Sequence, residues 1–323
     1  KRPFLIMVNI THEDLAKGAK KLRKELLLMP VHAMAPALQH MSLRTGIRYA
    51  ETVGQLEGDM QFGPYSDTRI DQSETKINGR TLYTFFGSVV REFKPNSVVQ
   101  SLYGSAITKG EALKNTEIVQ KVLSYYAGRL GHNLYKALWG AVRKADGDKT
   151  IDLFNGFDTI TNTEITEGNV SVAKGNLFLF TDKIDETNAV DLITQFCEAG
   201  NELLLEETKL KLYCDPAIYR AYLKDYKATT GAVPYNTSYD KKVIEGFENI
   251  EFVPMANKKG SGFIHLSTPG NMLVGVNQKG EEENITVEKH SAFVLQFIAT
   301  MFFGVQFETI SPEKLLVGKL FNS

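Results

Sequence analysis

The stretch Ser267–Asn277 reads STPGNMLVGVN: a turn built on Pro269-Gly270-Asn271, then an apolar run from Met272 to Val276 that Gly275 interrupts. The run has the length and composition of a buried strand, and no side chain in the stretch is a general acid or base. Its distinctiveness is architectural. The segments around it read in the same way. NIEFVPM (249–255) and GFIHLS (262–267) precede it as strands, and ENITVEKH (283–290) and SAFVLQFIATMFFGVQF (291–307) follow as strands. Further upstream, NLFLFTD is a strand, NAVDLITQFCEAGNELLLEE a helix, TKLKLYCD a strand, and PAIYRAYLKDYKAT a helix with Pro216 in its first turn. Helices among several strands, in runs and not in strict alternation, give an α+β class.

The first half of the chain is organised differently. Thr11 and Asp14 resemble a capping box that opens a basic helix ended by Pro30, and 31–45 has no firm periodicity and reads as an arm. From Gly46 to Ser88, short β-prone runs are separated by turn signals at Gly54, Gly58, Gly63-Pro64 and Asn78-Gly79, with Asn-Gly the strongest hairpin signal. So polar a segment cannot be stable alone, and reads as a long hairpin that lies on something else. A long helix is expected over 115–145, capped by Asn115 or Thr116 and ended by Asp146-Gly147. Its apolar stripe includes Tyr125, Tyr126, Leu130, Leu134 and Leu138. At 1.5 Å per residue such a helix spans roughly 45 Å, the length of a spine.

The 323 residues exceed what one core usually holds, so two domains, or one with large elaborations, are expected. With 37 Lys+Arg against 38 Asp+Glu there is no overall basic charge to grip nucleic acid. The apolar run after the opening Lys1-Arg2 is too brief to span a membrane, and no secretory cleavage site follows it. Two cysteines, Cys197 and Cys214, point to a reducing compartment and buried, inert thiols. Catalytic templates fail one after another: GxGxxG after a strand, Walker A, HExxH, CxxC and GxSxG are all absent. His32 and His40 lack a carboxylate cluster; His132, His265 and His290 lack a partnering motif; Glu281, Glu282 and Glu283 read as a solvated turn. Tyr219, Tyr222 and Tyr226 recur at helical spacing, as a packed stripe and not a base-stacking surface. No catalytic, cofactor-binding or metal residue emerges.

The order of features is more specific than any one of them. An arm, a glycine-punctuated hairpin, a long helix, FNGFDTI, then NELLLEETKLKLYCDPAIYRAYLKDY, IEFVPM and STPGNMLVGVN together resemble the major capsid proteins of tailed double-stranded DNA bacteriophages that share the HK97 fold. The resemblance covers about Gly46 to the end. It implies an N-terminal arm at 1–45, an extended E-loop at 46–88, a peripheral (P) domain at 89–184 containing the spine helix, an axial (A) domain at 185–290, and strands at 291–323 returning to the P domain. It implies that LFNGFDT leads from the spine helix into a strand. Its functional implication is a non-enzymatic subunit that self-assembles into the pentamers and hexamers of an icosahedral shell around packaged DNA, in a virion assembled in the bacterial cytoplasm. Portal, scaffolding protein or maturation protease would be partners, contact with DNA would be non-specific, and no cofactor or membrane is involved. Candidate assembly residues are Tyr49, Phe62, Tyr65, Asp67, Arg69 and Lys76, and candidate spine-core residues are Tyr126, Leu130, Leu134 and Leu138. One lineage crosslinks a loop lysine; Lys76 is the only lysine in this loop, without a local motif for that chemistry. An N-terminal scaffolding segment would have been cleaved before Lys1 or exist as a separate protein. The alternatives are an encapsulin-like compartment of the same fold, or an enzyme with a scattered site such as a Cys214–His265 pair.

Overall fold

The computed structural model describes residues 33–57, 76–94, 115–230, 243–277, 285–291 and 294–321. After a short helix α1 (Ala35–Leu38), strand β1 (Ser42–Thr45) is followed by a hairpin of β2 (Ala50–Glu57) and β3 (Lys76–Tyr83), then β4 (Phe85–Phe93) and the long helix α2 (Asn115–Ala137). Helix α3 (Phe157–Thr166), β5 (Leu177–Leu179), α4 (Ala189–Glu198), α5 (Glu202–Leu205), β6 (Leu210–Cys214) and α6 (Pro216–Thr230) come next. The remaining strands are β7 (Val243–Ile244), β8 (Phe247–Pro254), β9 (Phe263–Ser267), β10 (Met272–Val276), β11 (Ile285–Ser291), β12 (Val294–Phe307) and β13 (Leu315–Lys319). One sheet runs β1-β10-β12-β11 with β4 also paired to β12; a second runs β5-β13-β9-β6-β8-β7; β2 and β3 pair with each other. The α+β class read from the sequence holds.

STPGNMLVGVN is the crossing between the two sheets. β9 ends at Ser267 in the second sheet, the Pro269–Asn271 turn follows, and β10 begins at Met272 in the first. Asn271 holds the crossing in place: its Nδ2 donates to Ser267 Oγ (2.9 Å), its Oδ1 accepts from Thr309 N (2.8 Å), and its carbonyl accepts from Glu308 N (2.9 Å). Every residue of β10 is buried, with β1 parallel on one side and β12 antiparallel on the other. That is why the run is continuously apolar instead of alternating.

Gly275 pairs with Gly304 of β12 in this ladder, and directly paired residues present their Cβ positions to the same face. Across that face passes the end of the hairpin. A Cβ on Gly304 would stand 1.9 Å from the Tyr83 carbonyl oxygen, and one on Gly275 would stand 3.0 Å from side-chain carbons of Leu82 and Thr84. The two glycines form a notch through which the backbone moves from hairpin to sheet. Below it, Leu82 and Val53 pack on Leu273 and Ile47 in a small core of their own.

Several expectations are corrected. Helix α2 ends at Ala137 and not near 145. The carbonyls of Leu138 and Trp139 accept from Phe157 N (3.2 Å) and Asp158 N (3.1 Å), the first N–H groups of α3, so they serve α3 instead of continuing α2. FNGFDTI accordingly enters a helix, not a strand, and Gly156 precedes it because a Cβ there would lie 2.1 Å from the Trp139 carbonyl oxygen. Asn78-Gly79 makes no turn: it lies inside β3 opposite Gln55 and Gly54, and Gly79 leaves room for the Thr52 methyl. The hairpin strands end at Tyr83, since residues 85–93 join β12 of the main sheet. Residues 42–45 of the arm are a strand on β10. The helix expected over 188–207 is two, α4 and α5, with the Asn201 side chain accepting from Leu203 N at the start of α5. β13 was not read from the sequence, and it sits inside the second sheet between β5 and β9.

The notch predicts opposite effects for two Gly→Ala changes. Gly304→Ala should destabilise the subunit by about 1–3 kcal/mol through forced overpacking against backbone. Gly128→Ala, in α2 with no atom within 4 Å of the new methyl, should be neutral or stabilising by about 1 kcal/mol. Thermal melting of both variants checks this; equal melting temperatures would remove the steric role assigned to Gly304.

Candidate assembly surface at the hairpin root

The hairpin leaves the body at a point where apolar side chains remain exposed. On β4, Phe86, Ser88 and Val90 face one way, opposite Phe302, Thr300 and Ile298 of β12. Phe86 is 54% and Val90 56% exposed. Tyr49, at the start of the hairpin, is 69% exposed and stands edge-on to Phe302 with ring centroids 5.0 Å apart; Phe86 is also 5.0 Å from Phe302. The result is a contiguous aromatic strip on the outer face of the sheet, of the kind that marks an association surface. Tyr49 adopts a left-handed backbone (φ +68), an uncommon state for a bulky residue. Its carbonyl accepts from Thr84 N (2.8 Å), which closes the base of the hairpin.

The opposite face of the same sheet meets α2. Tyr126 is half-buried, its ring 5.7 Å from Phe93 and 5.5 Å from Phe297, and burial raises the pKa of its hydroxyl while Arg91 acts the other way. Leu134 is buried in the helix, and Leu138 is buried one residue beyond the helix end. Leu130 is half-buried because it borders a groove of about 840 Å³ between helix and sheet, lined also by Leu134, Gly87, Ala299 and Met301. Tyr125, placed on the apolar stripe by its spacing, is 63% exposed. Of the candidate assembly residues, Tyr49 lies in the aromatic strip and Lys76 pairs with Glu57 in the hairpin ladder. Phe62, Tyr65, Asp67 and Arg69 lie outside the described residues, as do His32 and Glu281–Glu283.

The enzyme-like candidates have structural surroundings. Cys214 belongs to the core on one face of the second sheet, and His265 packs toward the other, 5.4 Å from the Trp139 ring. They point away from each other, so no thiol–imidazole pair forms. Cys197 is buried and its thiol is pushed up to about 12 by burial, then by Glu198, which keeps it from ionising. His132 is exposed on α2, and His290 is exposed with its Nε2 3.5 Å from Glu92 Oε1. Among the described residues, no group of three His, Cys, Asp or Glu is placed to hold a metal, and no helix is long and apolar enough to cross a membrane.

His265 is nonetheless part of a polar centre that sequence reading missed. Lys258, with a fully buried ammonium, donates to Asp158 Oδ1 (2.8 Å), Ser261 Oγ (3.2 Å) and His265 Nδ1 (3.1 Å), and lies 3.7 Å over the Trp139 ring. With Nδ1 accepting, the proton of the neutral ring is on Nε2 and donates to Thr161 Oγ1 (2.8 Å). Burial, and next the Lys258 charge, hold His265 well below the usual imidazole range. Burial also lowers the Lys258 pKa, against which Asp158 acts. The arrangement joins α3, the end of α2 and β9 by charge and stacking; with its imidazole enclosed it serves as a strut, not as an accessible base.

Solved structures share this architecture, although no family model and no curated protein sequence matches the chain. The capsid of an empty GTA particle is similar over 89% of this chain and 90% of its own, with a TM-score of 0.58 and 14% identity. The capsid asymmetric unit of cyanophage A-1(L) is similar over 92% of this chain and 94% of its own, with a TM-score of 0.57 and 11% identity. An encapsulin complex of Synechococcus elongatus is similar over 88% and 86%, with a TM-score of 0.50 and 12% identity. The chain has the fold of these shell proteins, the HK97-like capsid fold that the sequence resemblance implied.

The neutral His265 sets a pH dependence. An unfolded imidazole takes up a proton near pH 6.5 whereas the native one does not, so stability is full above that pH and is lost as pH falls below it. Melting temperatures measured from pH 8 to pH 5 should drop below about 6.5. His265→Asn, whose amide oxygen replaces Nδ1 as acceptor for Lys258, should melt lower throughout but with a shallower acid slope. An unchanged slope would assign the acid sensitivity to other groups.

Proposed function

We propose that the chain is the structural subunit of an icosahedral capsid, assembling into pentamers and hexamers around packaged double-stranded DNA, and that it is not an enzyme. The observation that carries this reading is the exposed apolar strip Tyr49–Phe86–Val90 at the root of the hairpin, on a fold shared with capsid proteins. A two-stranded hairpin is marginal in water and gains its stability from what it lies on. A neighbouring copy supplies that surface.

In this reading the hairpin of β2 and β3 is the core of the E-loop expected at 46–88, α2 and the sheet of β4, β10, β11 and β12 form the body of the peripheral domain expected at 89–184, and α4, α6 and the second sheet form the axial domain expected at 185–290; β4 starts inside the E-loop bounds, β10 falls inside the axial bounds, and β5 and β13 of the second sheet fall outside them. Phe62, Tyr65, Asp67, Arg69 and Lys76 of the E-loop segment are the proposed contacts with a neighbouring copy. The net charge of −1 suits a wall that contacts DNA without gripping it. Portal, scaffolding and maturation proteins are the expected partners, with assembly in the bacterial cytoplasm. The GTA and cyanophage capsids exceed the encapsulin in TM-score, 0.58 and 0.57 against 0.50, and the encapsulin likeness is what favours the cargo-compartment alternative.

Size-exclusion chromatography with light scattering, followed by electron microscopy, tests the reading. The chain should elute as capsomers or very large particles; a small oligomer alone would overturn it. Deleting Gln55 to Lys76, or changing the exposed Phe86→Asp, should leave a soluble subunit with a nearly unchanged melting temperature that no longer forms closed particles. Normal shells from both variants would remove the hairpin root from the interface.

A further inference from the structure

The return strand of the hairpin is fastened to the body by side chains that its own folding does not require. Arg80 of β3 donates from Nη2 to Glu164 Oε1 of α3 and to Gln306 Oε1 of β12 (3.1 Å). The ion pair is largely shielded, with side chains 17% and 12% exposed. Glu164 is itself held, its Oε2 accepting from Asn169 Nδ2 (2.9 Å). Gln306 acts at both ends of its amide: Oε1 accepts from Arg80 and from Phe307 N (3.0 Å), and Nε2 donates to the Thr81 carbonyl (3.2 Å). Two residues along β12, Gly304 leaves the space that the Tyr83 carbonyl occupies. The root is therefore fixed at three positions of β3, Arg80, Thr81 and Tyr83.

We infer that Arg80 and Glu164 form a latch that sets the direction in which the hairpin projects from the body, and through it the angle at which copies of the chain meet. This rests on the shell reading above for its consequence, but not for its geometry. The apolar contacts of Val53 and Leu82 on Leu273 resist removal of the hairpin from the body and do little to fix its angle, because hydrophobic attraction is non-directional. A charge-assisted hydrogen bond is short and directional, and a shielded pair holds its register because separating it strands a buried charge. A shell closes only when every repeated contact has the rotation that closure requires; small errors of angle give open sheets or tubes instead. A latch within the subunit presets that rotation before any neighbour arrives.

Two measurements on the full chain separate the latch from the shell reading. In the unassembled subunit, spin labels at Glu51→Cys on the hairpin and Arg129→Cys on the spine helix report the hairpin angle as a distance; Cys197 and Cys214 are buried and stay unlabelled. Against this background Arg80→Met and the isosteric Glu164→Gln should broaden the distance distribution below the melting transition, with Arg80→Lys restoring part of the narrow one. In assembly reactions the same changes, without labels, should convert uniform closed particles into open or irregular products while the subunit still melts cooperatively. Distance distributions as narrow as the wild type, or closed particles of unchanged size and yield, would overturn the latch. Loss of cooperative melting in both Arg80→Met and Glu164→Gln would also overturn it, making the pair a folding determinant. A wild type that forms no particles would sink the shell reading alone, because the distance measurement stands without assembly.

Discussion

Two missing methyl groups govern the shape of this molecule. At Gly275 and Gly304 the paired strands β10 and β12 have no side chains on one face, and the backbone at Tyr83 and Thr84 lies directly in the space that results. The hairpin, the sheet and the crossing between the two sheets all meet there. Because the contact at Gly304 is with backbone, which cannot rotate aside as a side chain would, any larger residue must displace either the hairpin or the central strand. Burial of Leu82 beside the notch and the hydrogen bond from Thr84 N to the Tyr49 carbonyl then follow from the path the chain is allowed to take.

This also marks the limit of what sequence alone discloses. The apolar run of β10 and the strands around it were legible because their composition is set locally by burial on both faces. Gly275 stood out as an interruption, but its purpose depends on Gly304, a partner 29 positions away that only the register identifies. Asn78-Gly79 carries a strong local turn signal, and the ladder overrides it: Gly79 pairs with Gly54, and a Cβ there would crowd the methyl of Thr52, its diagonal neighbour. Helix α2 shows helical spacing beyond its true end, since Leu138 and Ala141 are buried too, but their burial serves a tight loop tied to α3. The candidate site was half visible: Tyr49 could be named from the sequence, whereas Phe86, Val90 and Phe302 read as ordinary strand residues until their faces were known.

Buried polar groups were the least legible feature. Lys258 stands in the sequence ANKKG, where no apolar pattern marks it for burial, yet its ammonium is enclosed. Its acceptors come from Asp158, Ser261 and His265, and Asp158 is 100 residues away, so no window of sequence holds the set. Such a centre is weak evidence for stability, because desolvation offsets much of the attraction. What it supplies is uniqueness of packing: an ammonium with three acceptors and an aromatic face has one arrangement, where an apolar cluster has several nearly equal ones.

The short helix α3 connects these two polar systems. Its inward positions Phe157, Thr161 and Glu164 follow helical spacing, but two of the three are polar, which hides the helix from hydrophobic periodicity. Each polar position is used. Thr161 accepts from the enclosed His265 at one end, and Glu164 takes Arg80 of the hairpin less than one turn further along. Asp158, in the first turn, completes the Lys258 centre. A displacement of α3 would therefore disturb the core and the hairpin direction together, and neither can shift without carrying the helix with it. That coupling is the physical advantage of placing directional, shielded polar contacts on one rigid element: the body and the hairpin share a single reference.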